Sequence, residues 1–284
     1  EVTVTSNLSN CYYFAMAGDS SGKIFIMESD ISAHTFKVRS WTHAAGFHVE
    51  YTQNSVDVYP SQVIVDGSDK VHGALLIDDD IHYLSNRSGS WVDETAVTYS
   101  AYKPGGTPSI GIRANGNAII GFQCKNASVH YDAFYVAERN SGGTWTEYLV
   151  DSGADKKAAD RGQFSAILAD SNDKLFLIYS ADGGGLRWAT ENSVGDFTLH
   201  DQFISAVQIG LSAVIEDDQV HVVSTAASGY NYSKYSDGSW SNEPIVTITN
   251  IVSIGMSIVL NDSKEPMVSL GSNLDGDLLV YKHK

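Results

Sequence analysis

Cysteine, proline and positive charge are scarce in this sequence, and each shortage removes a class of protein. The 284 residues hold two cysteines, five prolines, and 18 lysines and arginines against 34 acids. Two cysteines, Cys11 and Cys124, are too few for the disulfide framework of a small secreted domain. They fall in repeat units that are not neighbours, so they read as two separate buried thiols. That usage suits a chain folded in a reducing cytosol, even one that works outside the cell. No stretch approaches the roughly 18 apolar residues of a membrane span, so no membrane insertion is expected. The net charge of −16 repels phosphate backbones and argues against nucleic acid as a partner. It reads as a well-solvated surface, fit for salty or extracellular surroundings. There is no phosphate-binding glycine loop. The chain as given shows no signal peptide, and Glu1-Val-Thr-Val-Thr5 reads as the start of a processed or trimmed product.

What is present is a repeat. Ser165-Ala-Ile-Leu-Ala-Asp-Ser-Asn-Asp-Lys-Leu-Phe-Leu-Ile-Tyr-Ser180 reads as strand, polar turn, strand. Versions of its turn begin at Asp19, Asp66, Asn115, Asp170, Asp217 and Asp262, in steps of 47, 49, 55, 47 and 45 residues. Such a period belongs to propellers, solenoids or arrays. Asp, Asn, Gly and Ser supply the φ > 0 positions and side-chain caps of tight hairpins. The second strand of each unit, as in Leu175-Phe-Leu-Ile-Tyr179, is apolar on both faces, as a sheet packed between two others requires. A third strand carries an aromatic at a repeated place (Phe36, Tyr83, Trp188, Tyr232, Tyr281), read here as packing between sheets. A small polar turn and a bulky aromatic close the unit, as in Ser88–Trp91, Ser141–Trp145, Ser193–Phe197 and Ser236–Trp240, before a fourth strand.

No segment has a stripe of period 3.6, so the class is all-β. Four antiparallel strands per unit of 45 to 55 residues make the blade of a β-propeller. The ends set the count at six blades in one domain, residues 1–284. The last unit runs Met256–Leu260, Pro266–Leu270 and Leu278–Lys282, one strand short, and Val2–Thr5 is left over at the start. The expectation is that this N-terminal strand completes the last blade and closes the ring. A solenoid would need capping units at both ends, and none is seen.

The turns at Ser88–Trp91, Ser141–Trp145 and Ser236–Trp240 resemble those of the sialidase-like propellers with BNR, or Asp-box, repeats. The family's turn reads Ser-x-Asp-x-Gly-x-Thr-Trp; here Asp237-Gly-Ser-Trp240 keeps the residue types at shorter spacing, and the other copies lack the aspartate. The resemblance implies a structural role for these turns. It would also imply an arginine triad, a Tyr-Glu nucleophile pair and an acid-base Asp. The early Arg-Ile-Pro is missing, and the six arginines (Arg39, Arg87, Arg113, Arg139, Arg161 and Arg187) mostly fall on or beside strands at periodic places. Sialidase activity is therefore not expected. The Trp-Asp dipeptide of WD40 blades is absent.

Function is expected on the loops that join second to third strands and one blade to the next. Lys125-Asn-Ala-Ser-Val-His-Tyr-Asp132 mixes amide, imidazole, phenol and carboxylate, the inventory for gripping sugar hydroxyls beside a stacking ring. The expected ligand site comprises Asn126, His130, Tyr131 and Asp132, with Asp79 from the previous blade. Asp78-Asp-Asp80 lacks the spacing of a calcium loop, and neither metal nor cofactor is expected. Lys156, Lys157 and Arg161 form the basic cluster of an acidic chain and read as a solvated loop. The leading expectation is a non-enzymatic module that binds a glycan or a cell-surface or virion protein, extracellular or virion-associated, such as a lectin, adhesin or phage decoration protein. A polysaccharide lyase or hydrolase, with His130, Tyr131, Lys157 and Arg161 as its machinery, and a structural scaffold remain open beside it.

Overall fold

The computed structural model describes residues 11–30, 32–54, 58–98, 102–126, 132–152, 164–181, 185–204, 210–226, 229–247, 256–261, 263–271 and 278–282. Among them are 23 strands and no helix. Sheet 1 holds β1 (Cys11–Gly18), β2 (Ile24–Asp30), β3 (Thr35–Thr42) and β4 (Gly46–Asn54). Sheet 2 holds β5 (Val58–Val65), β6 (Val71–Ile77), β7 (Asp80–Ser85) and β8 (Val92–Val97). Sheet 3 holds β9 (Tyr102–Ile112), β10 (Ala118–Asn126), β11 (Asp132–Arg139) and β12 (Trp145–Asp151). Sheet 4 holds β13 (Ser165–Ala169), β14 (Leu175–Ser180), β15 (Leu186–Ser193) and β16 (Asp196–Ile204). Sheet 5 holds β17 (Leu211–Glu216), β18 (Gln219–Ala226), β19 (Gly229–Ser236) and β20 (Ser239–Thr247). Sheet 6 holds β21 (Met256–Leu260), β22 (Pro266–Gly271) and β23 (Leu278–Lys282). Every sheet is a meander in chain order, five of four strands and one of three among the described residues. The strand expected to complete sheet 6, Val2–Thr5, lies outside the described residues.

Two compact units are distinct, residues 1–120 with 136–147, and residues 121–135 with 148–284. Within the first, β1 lies beside β5 and β5 beside β9; within the second, β13 lies beside β17 and β17 beside β21. The second strands are buried on both faces as their composition requires: every residue of β14 is buried, and all but Leu76 of β6. Phe25, Met27, Phe36 and Val38 of sheet 1 meet Val58, Val63, Val71 and Leu75 of sheet 2 in one core. Sheets 4 and 5 join similarly through Phe176, Ile178, Trp188, Val220 and Val222. Cys124 carries a buried thiol on β10, remote in topology from β1, where Cys11 sits.

The turns show why Asp and Asn recur. Asp170 Oδ1 accepts from the backbone N–H of Asn172 (2.9 Å) and Lys174 (2.8 Å), and Asp19, Asp66 and Asn261 repeat this pattern. The fourth residue of each such turn sits at positive φ: Gly22, Asp69, Gly116, Asp173 and Lys264. Three starting points move from where the sequence placed them; the fifth turn begins at Glu216 rather than Asp217, since Glu216 pairs with Gln219. The sixth turn begins at Asn261 rather than Asp262, and the third at Arg113 rather than Asn115, because Arg113 N–H pairs with Asn117 O at 2.9 Å. The third residue of that turn, Asn115, accepts from the N–H of Asn117 at 2.8 Å, and the Arg113 guanidinium makes a two-pronged contact with Glu138 at 2.9 Å.

Neighbouring turns are tied together. Ser20 donates to Asp69 from its N–H (2.9 Å) and Oγ (2.8 Å), and Ser171 makes the same pair of bonds to Asp218 at 2.8 Å each. The tryptophans after the polar turns pack onto the preceding sheet: Trp91 on Tyr51, Trp145 on Tyr83, and Trp240 flat on Phe203 with centroids 3.7 Å apart.

Candidate functional site

The expected site residues fall on both units. Asn126 ends β10 and Asp132 begins β11, so the backbone brings these two to the same end of neighbouring strands. His130 and Tyr131 lie outside the described residues, as do the side chains of Asn126 and Asp132. Asp79 is exposed in the turn between β6 and β7, where Asp78 and Asp79 take φ of 49° and 73°. Two consecutive left-handed residues make a tight two-residue hairpin, and Asp tolerates that region better than most side chains. Asp79 belongs to the first unit, Asn126 and Asp132 to the second. No grouping of three or more potential metal ligands occurs among the described residues.

The repeated third-strand aromatics fall into two groups by register. Tyr83, Trp188 and Tyr232 share one register, opposite Ala74, Ile178 and Val223, each three residues past the matching Val71, Leu175 and Val220. Val38 holds that place in sheet 1, and Phe36 stands two residues away opposite Ser29. Tyr281 pairs with Val268, one position out of step. Tyr83 and Phe36 are fully buried and Trp188 and Tyr232 nearly so, which supports packing as their common role.

Sequence reasoning missed a cleft at the opposite end of the sheets, where first strands turn into second strands. It has a volume of about 300 Å³ and is lined by Glu216, Asp217, Gln219, His221, Tyr232 and Lys234 of sheet 5 and by Lys264, Glu265 and Pro266 of sheet 6. Its floor is a buried polar pair. His221, on β18, and Tyr232, on β19, share a hydrogen bond of 2.6 Å between Nδ1 and the hydroxyl. Burial, and then the charge of Glu243, push the Tyr232 phenol up to about 12, so it stays neutral. One wall is the two-residue turn at Asp217 and Asp218, with φ of 50° and 59°. The other is the sixth turn, where Asn261 donates to Glu265 at 2.8 Å and so orients its carboxylate. Lys264 spans the mouth, its ammonium 2.9 Å from Glu216 and 2.5 Å from Asp217. The bond to Asp217, followed by that to Glu216, raises the lysine's pKa.

The opening has a local cause. In sheet 2 the equivalent histidine, His72, bonds Tyr83 at 2.6 Å, and its other nitrogen lies 3.1 Å from Asp66. The sheet 2 turn has five residues, Asp66 to Lys70, between the paired Val65 and Val71. In sheet 5 only four residues, Glu216 to Gln219, separate the corresponding Ile215 and Val220, and Glu216 pairs with Gln219 across the two-residue turn. Glu216 thus stands where Asp66 stands, but its carboxylate goes to Lys264. The nine polar and apolar groups around the cleft offer carboxylates, amide, ammonium, imidazole and phenol, an assortment suited to a ligand rich in hydroxyls.

Most of the arginines are occupied. Arg39 pairs with Glu28, Arg113 with Glu138, Arg139 with Glu94 and Arg187 with Asp151. They brace strands and neighbouring sheets, as their periodic placement suggested.

No protein-family model matches the chain, and no curated protein does. Solved structures do. The BP39L lectin of Burkholderia pseudomallei matches 95% of this chain and 81% of its own at a TM-score of 0.73 and 12% identity. AofleA of Arthrobotrys oligospora matches 97% and 83% at 0.64 and 12%. A lectin of Aleuria aurantia in complex with Fucα1-6GlcNAc matches 98% and 93% at 0.60 and 12%. The Aleuria aurantia lectin is a six-bladed β-propeller. At this identity the likeness establishes the fold: the six sheets are the blades of a six-bladed β-propeller.

Proposed function

We propose that this protein is a non-enzymatic recognition module that binds a glycan, a lectin built as one propeller domain over residues 1–284. The observation that carries the reading is the match of nearly the whole chain to three solved structures, two of them named lectins and one of those, a six-bladed propeller, bound to a fucosylated disaccharide. The polar cleft of sheets 5 and 6 supports it with groups that pair with hydroxyls. The loop from Asn126 to Asp132, with His130 and Tyr131, is the second contact surface, and Asp79 a third polar group of the same loop class. An extracellular or virion-associated setting, with a cell-surface or virion protein as an alternative partner, accords with the acidic surface. The small polar turns that liken the chain to sialidase-like propellers are read as structural: Gly89, Gly143 and Gly238 supply positive φ, and the following tryptophans pack.

The test is a glycan array that includes fucosylated members, with the same glycans assayed for cleavage. Binding without product is the expected result. Release of reducing ends or unsaturated uronates would replace the lectin reading with an enzyme, and silence in both assays with a scaffold. Tyr131→Ala locates the surface. Exposed ring-stacking contacts contribute about 1–3 kcal/mol, so the variant should lose ligand and keep its melting temperature.

A further inference from the structure

The cleft of sheets 5 and 6 already holds an ammonium group, and it comes from the protein itself. Lys264 reaches from its turn to Glu216 and Asp217, and all three residues line the cleft. The side chains involved are 54%, 43% and 66% exposed, so the bridge is of the solvent-screened kind that contributes little and exchanges readily. Behind it stand a third carboxylate, Glu265, and the His221–Tyr232 floor. Three carboxylates therefore face two ammoniums, in a protein of net charge −16. Lys234, the second ammonium, has no carboxylate partner among the described residues.

A neutral sugar entering this cleft would push Lys264 aside and leave two carboxylates without a counter-charge. An anionic sugar would meet three carboxylates and a repelling field. A ligand amine replaces the lysine like for like, with the same charge at the same place. We propose that the cleft binds an amino sugar whose nitrogen is a free amine, a hexosamine unit that is not N-acetylated. Its ammonium takes the position of the Lys264 ammonium between Glu216 and Asp217. The ring sits over His221 and Tyr232, and its hydroxyls meet Gln219, Lys234 and Glu265. The volume, at the lower bound of small-ligand pockets, suits one sugar ring. The inference rests on the lectin reading and narrows its ligand class.

Calorimetric titration with a glucosamine tetramer and with its fully N-acetylated counterpart tests it. The free amine should bind at least about tenfold more tightly, because charge-assisted bonds to both carboxylates vanish on acetylation, and added salt should weaken it. Lys264→Ala should tighten the free amine by about three- to tenfold, since the internal competitor is gone. Asp217→Asn should weaken it by about tenfold, and asparagine accepts the left-handed backbone there. Glu216→Gln serves the same end if that variant folds poorly. Equal affinity for the acetylated tetramer, or no gain in Lys264→Ala, would overturn the proposal. So would equally tight binding of putrescine, which carries amines without a ring. If neutral glycans bind in a Tyr131-dependent manner while the amine tetramer does not, this inference fails and the lectin reading stands. If no carbohydrate of any kind binds, both fall.

Discussion

Sheets 2 and 5 carry the same buried pair and put it to different uses. In each, the histidine next after the matching valine, Val71 or Val220, bonds a tyrosine eleven residues later at 2.6 Å. In sheet 2 the turn curls Asp66 back onto His72, and Tyr83 meets Trp145, so every member is packed. In sheet 5 the turn is one residue shorter, the carboxylate leans to Lys264, and the pair becomes the floor of a cleft. One residue of turn length therefore separates a closed polar network from a candidate binding site. The same scaffold position yields packing in one blade and access in another, which is how a repeated fold acquires function without changing its strands.

The largest break in that symmetry should come from truncating the tyrosines. Tyr83 has no exposed surface, and Tyr83→Ala is expected to cost about 3–5 kcal/mol in denaturant unfolding. Tyr232→Ala should cost less, because water can occupy a site already open, and it should also abolish binding in the cleft. Equal losses would mean the two pairs are equally structural.

Replacing the histidines sharpens the comparison. Phe25 and Phe176 occupy the His72 position in sheets 1 and 4, so His72→Phe fits the strand. It takes one partner from the Tyr83 hydroxyl, which keeps Ser85, and one from Asp66, at a cost of about 1–3 kcal/mol. His221→Phe should cost less and fill the cleft, so its signature is lost binding with near-normal melting. The reverse order of stabilities would contradict the assignment of roles.

Acid should separate the sheets by a smaller margin. Burial lowers the pKa of His72 from 6.5, although Asp66 opposes this, so the histidine is neutral in the fold. Below pH 6.5 the unfolded chain binds a proton that the folded chain refuses, and stability falls as pH drops towards the lowered value. Asp66 works in the same sense at lower pH. Burial alone would raise its pKa, but the N–H groups of Lys70 and Ser68, together with His72, hold it below 3.8, so its contribution is lost on acidification. Melting curves of wild type and His72→Phe should therefore converge as pH falls from about 7.5 to about 5. Parallel curves would remove His72 from the account.

The smallest effect on stability should come from the most direct exchange. Grafting the five residues Asp66–Lys70 in place of Glu216–Gln219 should leave the melting temperature nearly unchanged and close the cleft. Retained glycan binding by the graft would place the site elsewhere, with the loop of Tyr131 the first alternative.

Much of the architecture was legible because it is written in local chemistry. Alternating apolar residues mark the strands, Asp and Asn mark the caps, glycines mark the left-handed turn positions, and the tryptophans recur where one sheet meets the next. The errors arose where two like residues adjoin. Asn261 and Asp262 can each cap a turn, and only the cross-strand hydrogen bonds select the first. Phe36 and Val38 lie on the same face of one strand, and only pairing across to β2 shows that Val38 is the counterpart of Tyr83.

By itself, then, the sequence determined that this chain would be all-β, repeated six times, and built from meandering sheets with dry second strands. Those properties depend on neighbours along the chain, a few residues apart. The cleft was decided by tertiary structure alone. Its walls come from turns nearly fifty residues apart, Glu216 and Asp217 against Lys264, and its floor from two strands whose register brings His221 beneath the shortened turn. A carboxylate in a sequence has no partner until a neighbouring sheet supplies one. Whether Glu216 completes a buried network, as Asp66 does, or guards an opening depends on where the chain places that ammonium in space.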